Sequence, residues 1–198
     1  MTYNGIFVKN FDLSNTIEQY NQVINKAKSL FINKNKDYGP TWRVLRPSSL
    51  TDQLYIKAAR IRSLEIKGNQ LVEDSISDEY MALVNYGIMS IIQLERGVLE
   101  NIDEVDSKRV EEEYNFTIHE TRDLFVAKNH DYGEAWRMMR ISSFTDLILV
   151  KLLRIKQMEQ NNGQTIVSEG PKSNYQDIIN YAVFGLIKLS EIGKFKIT

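Results

Sequence analysis

The sequence predicts an all-α protein, a helical bundle built from a tandem repeat of about three helices per copy. The main observation is a string that occurs twice, first as KNKDYGPTWRVLRPSSLTD from Lys34 to Asp52, then as KNHDYGEAWRMMRISSFTD from Lys128 to Asp146. Around both strings apolar residues recur at spacings of three and four, which is typical of helices, whereas strand signals are few. One copy has little core of its own, so we expect the two to pack around a pseudo-twofold axis and share one core.

Domain boundaries follow from this duplication. Residues 1–13 are predicted as an N-terminal arm, residues 14–99 as repeat 1 and residues 110–198 as repeat 2. The charged segment 100–109 is predicted as the linker between them.

The first helix of each repeat is predicted from its apolar stripe. In repeat 1 the helix begins near Ser14 or Asn15, either of which could be the N-cap, and it ends where Gly39 breaks the pattern. The matching helix of repeat 2 runs from about Val110 to Lys128. The stripe in repeat 1 consists of Ile17, Tyr20, Ile24, Ala27 and Phe31.

The second helices are predicted to begin at Ser49 and Ser143. Each serine is followed three residues later by an aspartate, Asp52 or Asp146, which has the form of a capping box. The third helices are predicted to begin near Asp78 and near Ser173 in the matching place.

Composition limits the classes of protein that fit. Hydrophobic residues make up 42% of the chain, enough for a core, and the formal net charge of -1 argues against a general nucleic-acid binder. There is no cysteine, and we find neither a signal peptide nor an apolar run of the roughly 18 residues that a membrane helix needs. We therefore expect a cytoplasmic protein without a membrane or nucleic-acid partner; a homodimer is an open alternative.

The positions that both copies keep are mostly polar. From Leu30 to Asn69, matched against Leu124 to Gly163, 18 of 40 positions are identical, and Lys, Asn, Asp, Arg, Ser and Thr dominate. A repeat kept only for packing would preserve apolar positions instead. This bias predicts a functional site.

Two glutamates extend the apolar stripes of the second helices. Glu65 and Glu159 lie four residues after Ile61 and Ile155, and an unpaired carboxylate facing a core is costly. They are therefore predicted to meet a cation or a metal; the alternative is that the stripe has ended and each lies at a solvated rim.

Duplicated cations, aromatic residues and amides are predicted to bind a phosphorylated substrate, because guanidinium and ammonium groups pair with phosphate and aromatic rings stack on bases. The alternatives are solvated helix faces for the cations and core packing for the tryptophans. The predicted substrate-binding residues are Lys34, Asn35, Tyr38, Trp42, Arg43, Arg46, Lys57, Arg60 and Asn85 in repeat 1 and Lys128, Asn129, Tyr132, Trp136, Arg137, Arg140, Lys151, Arg154 and Asn180 in repeat 2.

Repeat 2 has the fuller set of acids. Asp177 lies three residues before Asn180, whereas repeat 1 has Ala82 at the matching place. Together with Glu159 and Glu169, Asp177 forms a set of oxygen ligands of the kind that suits Mg²⁺ or Mn²⁺. If one repeat has lost its site, Ala82 indicates repeat 1.

The string KNxDYGxxWRxxRxSSxTD, followed by KxxRIxxxE, an acidic loop and DxxNY, resembles a bacterial and phage family labelled nucleotide-modification-associated. The order of helices and acids is also distantly similar to that of the MazG-type all-α pyrophosphohydrolases. Those are often dimeric or tandem, hold Mg²⁺ with helix-borne acids, and split a nucleoside triphosphate into monophosphate and pyrophosphate. The chain lacks their ExxE motif.

This resemblance implies an enzyme with named residues. It implies catalytic roles for Glu159, Asp177 and Glu65, and metal ligation by Glu159, Glu169 and Asp177, with Glu65 and Asp74 from repeat 1. The leading hypothesis is an Mg²⁺-dependent nucleoside triphosphate pyrophosphohydrolase or a related nucleotide-processing enzyme. The alternatives are a nucleotide-binding or scaffold protein without catalysis, and a helical repeat that binds another protein.

Overall fold

A computed structural model describes residues 13–68, 75–101, 105–161 and 169–197. Within these ranges the fold is all-α and contains no strand, as predicted. The long helices are α1 (Leu13–Tyr38), α2 (Pro47–Lys67), α3 (Ile76–Arg96), α4 (Ser107–Tyr132), α5 (Ile141–Gln160) and α6 (Pro171–Glu191). Short 3-10 helices, Thr41–Val44 and Ala135–Met138, link α1 to α2 and α4 to α5.

The first helices end as the glycines predict. Gly39 and Gly133 both have positive φ, 68° and 56°, and their N–H groups bond to the carbonyls of Asn35 and Asn129. A residue without a Cβ adopts this left-handed conformation at little cost, which is why glycine ends the helix here.

The second helices begin two residues earlier than predicted, at Pro47 and Ile141 rather than at Ser49 and Ser143. Neither start has a side-chain cap, so the predicted capping boxes are wrong. At α2 the physical reason is Pro47, whose fixed φ suits the first helical position. A capping box does occur at Ser75, the start of α3.

The buried apolar side chains form one cluster drawn from both repeats. At its centre α3 and α6 make the most extensive helix contact. Their close approach depends on glycine, because a Cβ at Gly87 would lie 2.6 Å from Ile179 and a Cβ at Gly185 would lie 2.8 Å from the ring of Tyr80. None of the described helices is long and apolar enough to cross a membrane.

Candidate functional site

Glu159 lies at the contact between α5 and α2 and is hydrogen-bonded within the bundle. The hydroxyl of Thr51 donates to its carboxylate at 2.6 Å, and the hydroxyl of Tyr175 lies 2.8 Å from Thr51. Since Thr51 has one proton to give, Tyr175 is the donor in that second bond when Thr51 donates to Glu159. Burial raises the pKa of Tyr175 to about 12, so the phenol keeps this proton at neutral pH.

Glu65 makes the matching contact from the other repeat. Thr145 donates to its carboxylate at 2.9 Å, and the hydroxyl of Tyr80 lies 2.7 Å from Thr145. Burial raises the pKa of Glu65, and the hydrogen bond from Thr145 opposes that rise in part. Both glutamates therefore have hydroxyl partners from the opposite repeat, across the contact between α2 and α5.

A buried acid that we did not predict as a site residue lies between two predicted cations. Glu79, at the start of α3, is 1% exposed; its Oε1 pairs with Arg60, and its Oε2 lies 3.2 Å from Nζ of Lys57. Oε2 accepts no hydrogen bond from the described residues. A buried carboxylate oxygen without a hydrogen bond is rare and costly. The charge of Lys57, 3.2 Å away, is what stabilises this oxygen.

Asp177, in repeat 2, is held by two lysines of the predicted substrate-binding set. Lys128 Nζ lies 2.7 Å from one carboxylate oxygen and Lys151 Nζ lies 2.6 Å from the other. Burial tends to lower the pKa of Lys128, but the hydrogen bond and charge of Asp177 outweigh it, so the pKa is raised. The three groups form one partly buried ionic cluster.

The two repeats thus carry the acid that pairs with these cations at different places on the third helix. Repeat 1 has Glu79 and, three residues later, Ala82. Repeat 2 has Asn174 and Asp177 at the matching places. The acid that pairs with the matched lysine, Lys57 or Lys151, has therefore moved by about one helical turn between the copies.

A pocket of about 460 Å³ opens between α1, the first 3-10 helix, α2 and α3 in repeat 1. Two acids near its edge, Asp78 and Glu79, also line it, as does Ala82. The predicted substrate-binding residues that line it are Lys34, Asn35, Tyr38, Trp42, Lys57 and Asn85.

The tryptophans differ in what covers them. Both indole N–H groups donate to the asparagine of their own motif, Trp42 to Asn35 at 3.3 Å and Trp136 to Asn129 at 3.1 Å. In repeat 2 the ring of Phe184 stacks on Trp136 at 4.4 Å between centroids. Repeat 1 has Met89 at the matching place, and Met89 lines the pocket.

The arginines that follow the tryptophans are engaged inside the fold. Arg43 is buried, lies over the ring of Trp42 and hydrogen-bonds to Gln93. Arg137 lies over Trp136 at 4.4 Å and pairs with Glu134 at 2.7 Å. Arg46 and Arg140, by contrast, are exposed residues at the N-caps of α2 and α5.

The predicted amides on the third helices bridge helices. Asn85 donates to the carbonyl of Ala27 at 3.0 Å and accepts from the hydroxyl of Tyr114 at 2.9 Å. Asn180 bonds to Thr121 and Tyr20 in the same way, at 3.4 and 2.9 Å. In both places the amide connects the first helices of the two repeats.

The remaining predicted residues lie apart from this pocket. Lys151, Arg154 and Glu169 line a smaller cavity of about 200 Å³ in repeat 2, and Tyr132 is exposed. Asp74 lies outside the described residues. Among the residues that are described, no three acids or histidines come close enough together to hold a metal ion, so the predicted ligands are not gathered there.

The fold and the pocket define a helical bundle with a pocket in repeat 1 that is lined by lysines, acids and aromatic rings. Residues 34–94 and 128–189 match the model of a family described as "Nucleotide modification associated domain 1". The matched segments cover more than half of the chain, which therefore belongs to this family. No curated protein and no solved structure matches it.

Proposed function

We propose that the chain is a nucleotide-binding, nucleotide-processing protein whose binding site is the pocket of repeat 1. The observation that carries this proposal is the lining of the pocket. Its volume of about 460 Å³ falls in the range of small-molecule sites, and its walls combine lysines, aromatic rings and amides of repeat 1 with two acids. The description of the family supports a ligand related to nucleotides.

Each kind of group has a role in this proposal. The ammonium groups of Lys34 and Lys57 pair with phosphate oxygens. The ring of Tyr38 is 71% exposed at the pocket and is free to stack on a base, whereas Trp42 is 8% exposed and forms part of the wall. The side chain of Asn35 orients the wall by accepting the hydrogen bond of Trp42.

The hydrolase form of this proposal adds Mg²⁺ or Mn²⁺ and cleavage of a nucleoside triphosphate to monophosphate and pyrophosphate. It rests on the distant similarity to MazG-type enzymes. The described acids do not fit a metal site as they stand, because Asp177 is held by two lysines and Glu159 by Thr51. We therefore derive no step through a metal, and metal dependence stays a prediction.

A nucleotide-binding protein without catalysis is the second candidate. The specific observation in its favour is that the repeat with the open pocket has Ala82 where the other repeat has Asp177. Such a protein would be stabilised by its nucleotide without consuming it.

The same proposal includes three broader expectations. The matching contacts of the two repeats favour a pseudo-twofold arrangement. The net charge of -1 favours free nucleotide over nucleic acid as the partner. A cytoplasmic location, where free nucleotides are available, is consistent with this partner.

The test separates binding from turnover. Each nucleoside and deoxynucleoside triphosphate is titrated calorimetrically into the protein with and without Mg²⁺, and the mixtures are then analysed for monophosphate and pyrophosphate. We expect one or more nucleotides to bind, and Lys34→Gln to weaken binding while Lys128→Gln, the matched change in repeat 2, does not. Binding with no product supports the second candidate; no binding by any nucleotide would reject the proposed function.

A further inference from the structure

Repeat 2 contains an internal anion at a defined place. The two oxygens of the Asp177 carboxylate each meet one ammonium group, Lys128 at 2.7 Å and Lys151 at 2.6 Å. One lysine comes from the end of α4 and the other from α5, so the carboxylate joins three helices. The two lysines form an anion-binding site, and the carboxylate of Asp177 occupies it.

Repeat 1 has the same two cations without an acid at the position that matches Asp177. Lys34 and Lys57 occupy the matching positions in the duplicated motif, and both line the pocket. Ala82, which also lines it, replaces Asp177 and leaves the space of the missing carboxylate open. Lys34 is exposed and has no ion pair with any residue that the structure describes.

Independent contacts place the helices of the two repeats alike. The tryptophan of each 3-10 helix bonds to the asparagine at the end of the preceding helix. Asn85 and Asn180 bond to the carbonyls of Ala27 and Thr121, which are themselves matched positions. First helix, turn and third helix therefore have corresponding places around each pair of lysines.

We propose that a phosphate group of the ligand lies between Lys34 and Lys57 in repeat 1, at the place that corresponds to the Asp177 carboxylate in repeat 2. This inference rests on the proposed function and assigns the phosphate end of the same pocket. Repeat 2 is then a self-filled copy: Asp177 takes the place of the phosphate, and Phe184 covers the tryptophan.

Three cations, Lys34, Lys57 and Arg60, and two acids, Asp78 and Glu79, lie at or beside the pocket. Glu79 forms ion pairs with both Lys57, at 3.2 Å, and Arg60, so its single negative charge is shared between two cations. Asp78 is engaged in the capping box of Ser75. The two cations that line the pocket are then Lys34 and Lys57, and Lys57 shares the single charge of Glu79 with Arg60.

The experiment uses inorganic pyrophosphate as the probe and adds the missing acid to repeat 1. Ala82→Asp reproduces in repeat 1 the acid of repeat 2, so we expect pyrophosphate to bind at least about tenfold more weakly by calorimetry at low salt. Ala82→Asn fills similar space without charge and is expected to cost less affinity. Ser29→Asp, on an exposed part of α1, controls for the added charge alone.

The converse variant empties repeat 2. Asp177→Ala is expected to raise the pyrophosphate stoichiometry from about one per chain towards two, with circular dichroism confirming the fold. Equal pyrophosphate affinity of the wild type and Ala82→Asp would overturn the phosphate site between Lys34 and Lys57. This comparison decides the question even if Asp177→Ala does not fold. An unchanged stoichiometry in a folded Asp177→Ala protein would likewise overturn the self-filled copy.

Nucleotide titrations of the same proteins distinguish the two proposals. Pyrophosphate binding that Ala82→Asp removes, without binding of any nucleotide, would reject the proposed function and keep the phosphate site. Nucleotide binding that Ala82→Asp leaves unchanged would keep the function and reject this phosphate site.

Discussion

Replacing Asn85 by alanine tests whether this pocket residue is also a structural bridge. The amide donates to the carbonyl of Ala27 at 3.0 Å and accepts from Tyr114 at 2.9 Å, and the Tyr114 side chain is fully buried. Asn85→Ala removes both bonds and leaves a buried hydroxyl and a buried carbonyl without this partner. At about 1–3 kcal/mol for the orphaned Tyr114 hydroxyl and about 1 kcal/mol for the lost bond to the Ala27 carbonyl, which keeps its helical partner, we expect a loss of about 3 kcal/mol in the free energy of unfolding.

For a chain of this size that loss corresponds to a fall of about 6–12 °C in Tm. The assay is urea unfolding followed by far-ultraviolet circular dichroism, with Asn25→Ala on the exposed face of α1 as the control. The control should be neutral or slightly stabilising, because alanine favours helices. If Asn85→Ala loses less than about 0.5 kcal/mol, the range expected of a surface change, the bridging role is refuted.

Three further predictions concern packing and charge. Gly185→Ala should lower the free energy of unfolding by about 1–2 kcal/mol in urea titrations, because its Cβ would lie 2.8 Å from the ring of Tyr80. A hydrogen bond with Thr145 holds that ring in place. Equal or higher stability would contradict the packing of α3 on α6. Burial raises the folded-state pKa of Glu65 above the ordinary value of 4.5, so the folded chain binds more protons and stability falls as pH rises through that range. Glu65→Gln should flatten this part of the stability–pH curve, and an unchanged curve would contradict a raised pKa of Glu65 in the folded state. Glu79→Ala should cost about 3 kcal/mol in the same urea assay, since it removes a buried carboxylate that pairs with two partly buried cations, and a cost below about 1 kcal/mol would show that these pairs are solvated.

The helices were predictable because their apolar residues recur at helical spacing, and the glycine ends because Gly39 and Gly133 follow the last turn. The starts of α2 and α5 were not predicted correctly. The serine–aspartate spacing resembled a capping box, but the helices begin two residues earlier, at Pro47 and Ile141. Sequence spacing alone does not decide between an N-cap and a position in the first turn.

The site was predicted from residues that are identical in both copies, and this criterion misses a functional residue that only one copy has. It selected Lys34 and Lys57, which line the pocket. It missed Glu79 because the other copy has asparagine there, and it treated Ala82 as a sign of loss. In the structure that alanine lines the open pocket, whereas its counterpart Asp177 is neutralised by two lysines.

The hydrogen-bond partners of Glu65 and Glu159 could not be predicted from the sequence, although both copies keep them. Thr51 and Tyr175 are kept in both copies, as Thr145 and Tyr80. Thr51 of α2 meets Glu159 of α5 only because these two helices pack together, which brings residues 108 positions apart within 2.6 Å. Such a contact depends on tertiary packing rather than on local pattern.

The most direct test of the central claim uses the two tryptophans as reporters. In Trp136→Phe the remaining indole, Trp42, lines the pocket of repeat 1; in Trp42→Phe the remaining indole, Trp136, lies under Phe184. Each variant is titrated with a nucleotide that calorimetry shows to bind, and its tryptophan emission is recorded. We predict a saturable change in Trp136→Phe and none in Trp42→Phe; a nucleotide that binds without changing the emission of Trp42 would contradict a site in repeat 1.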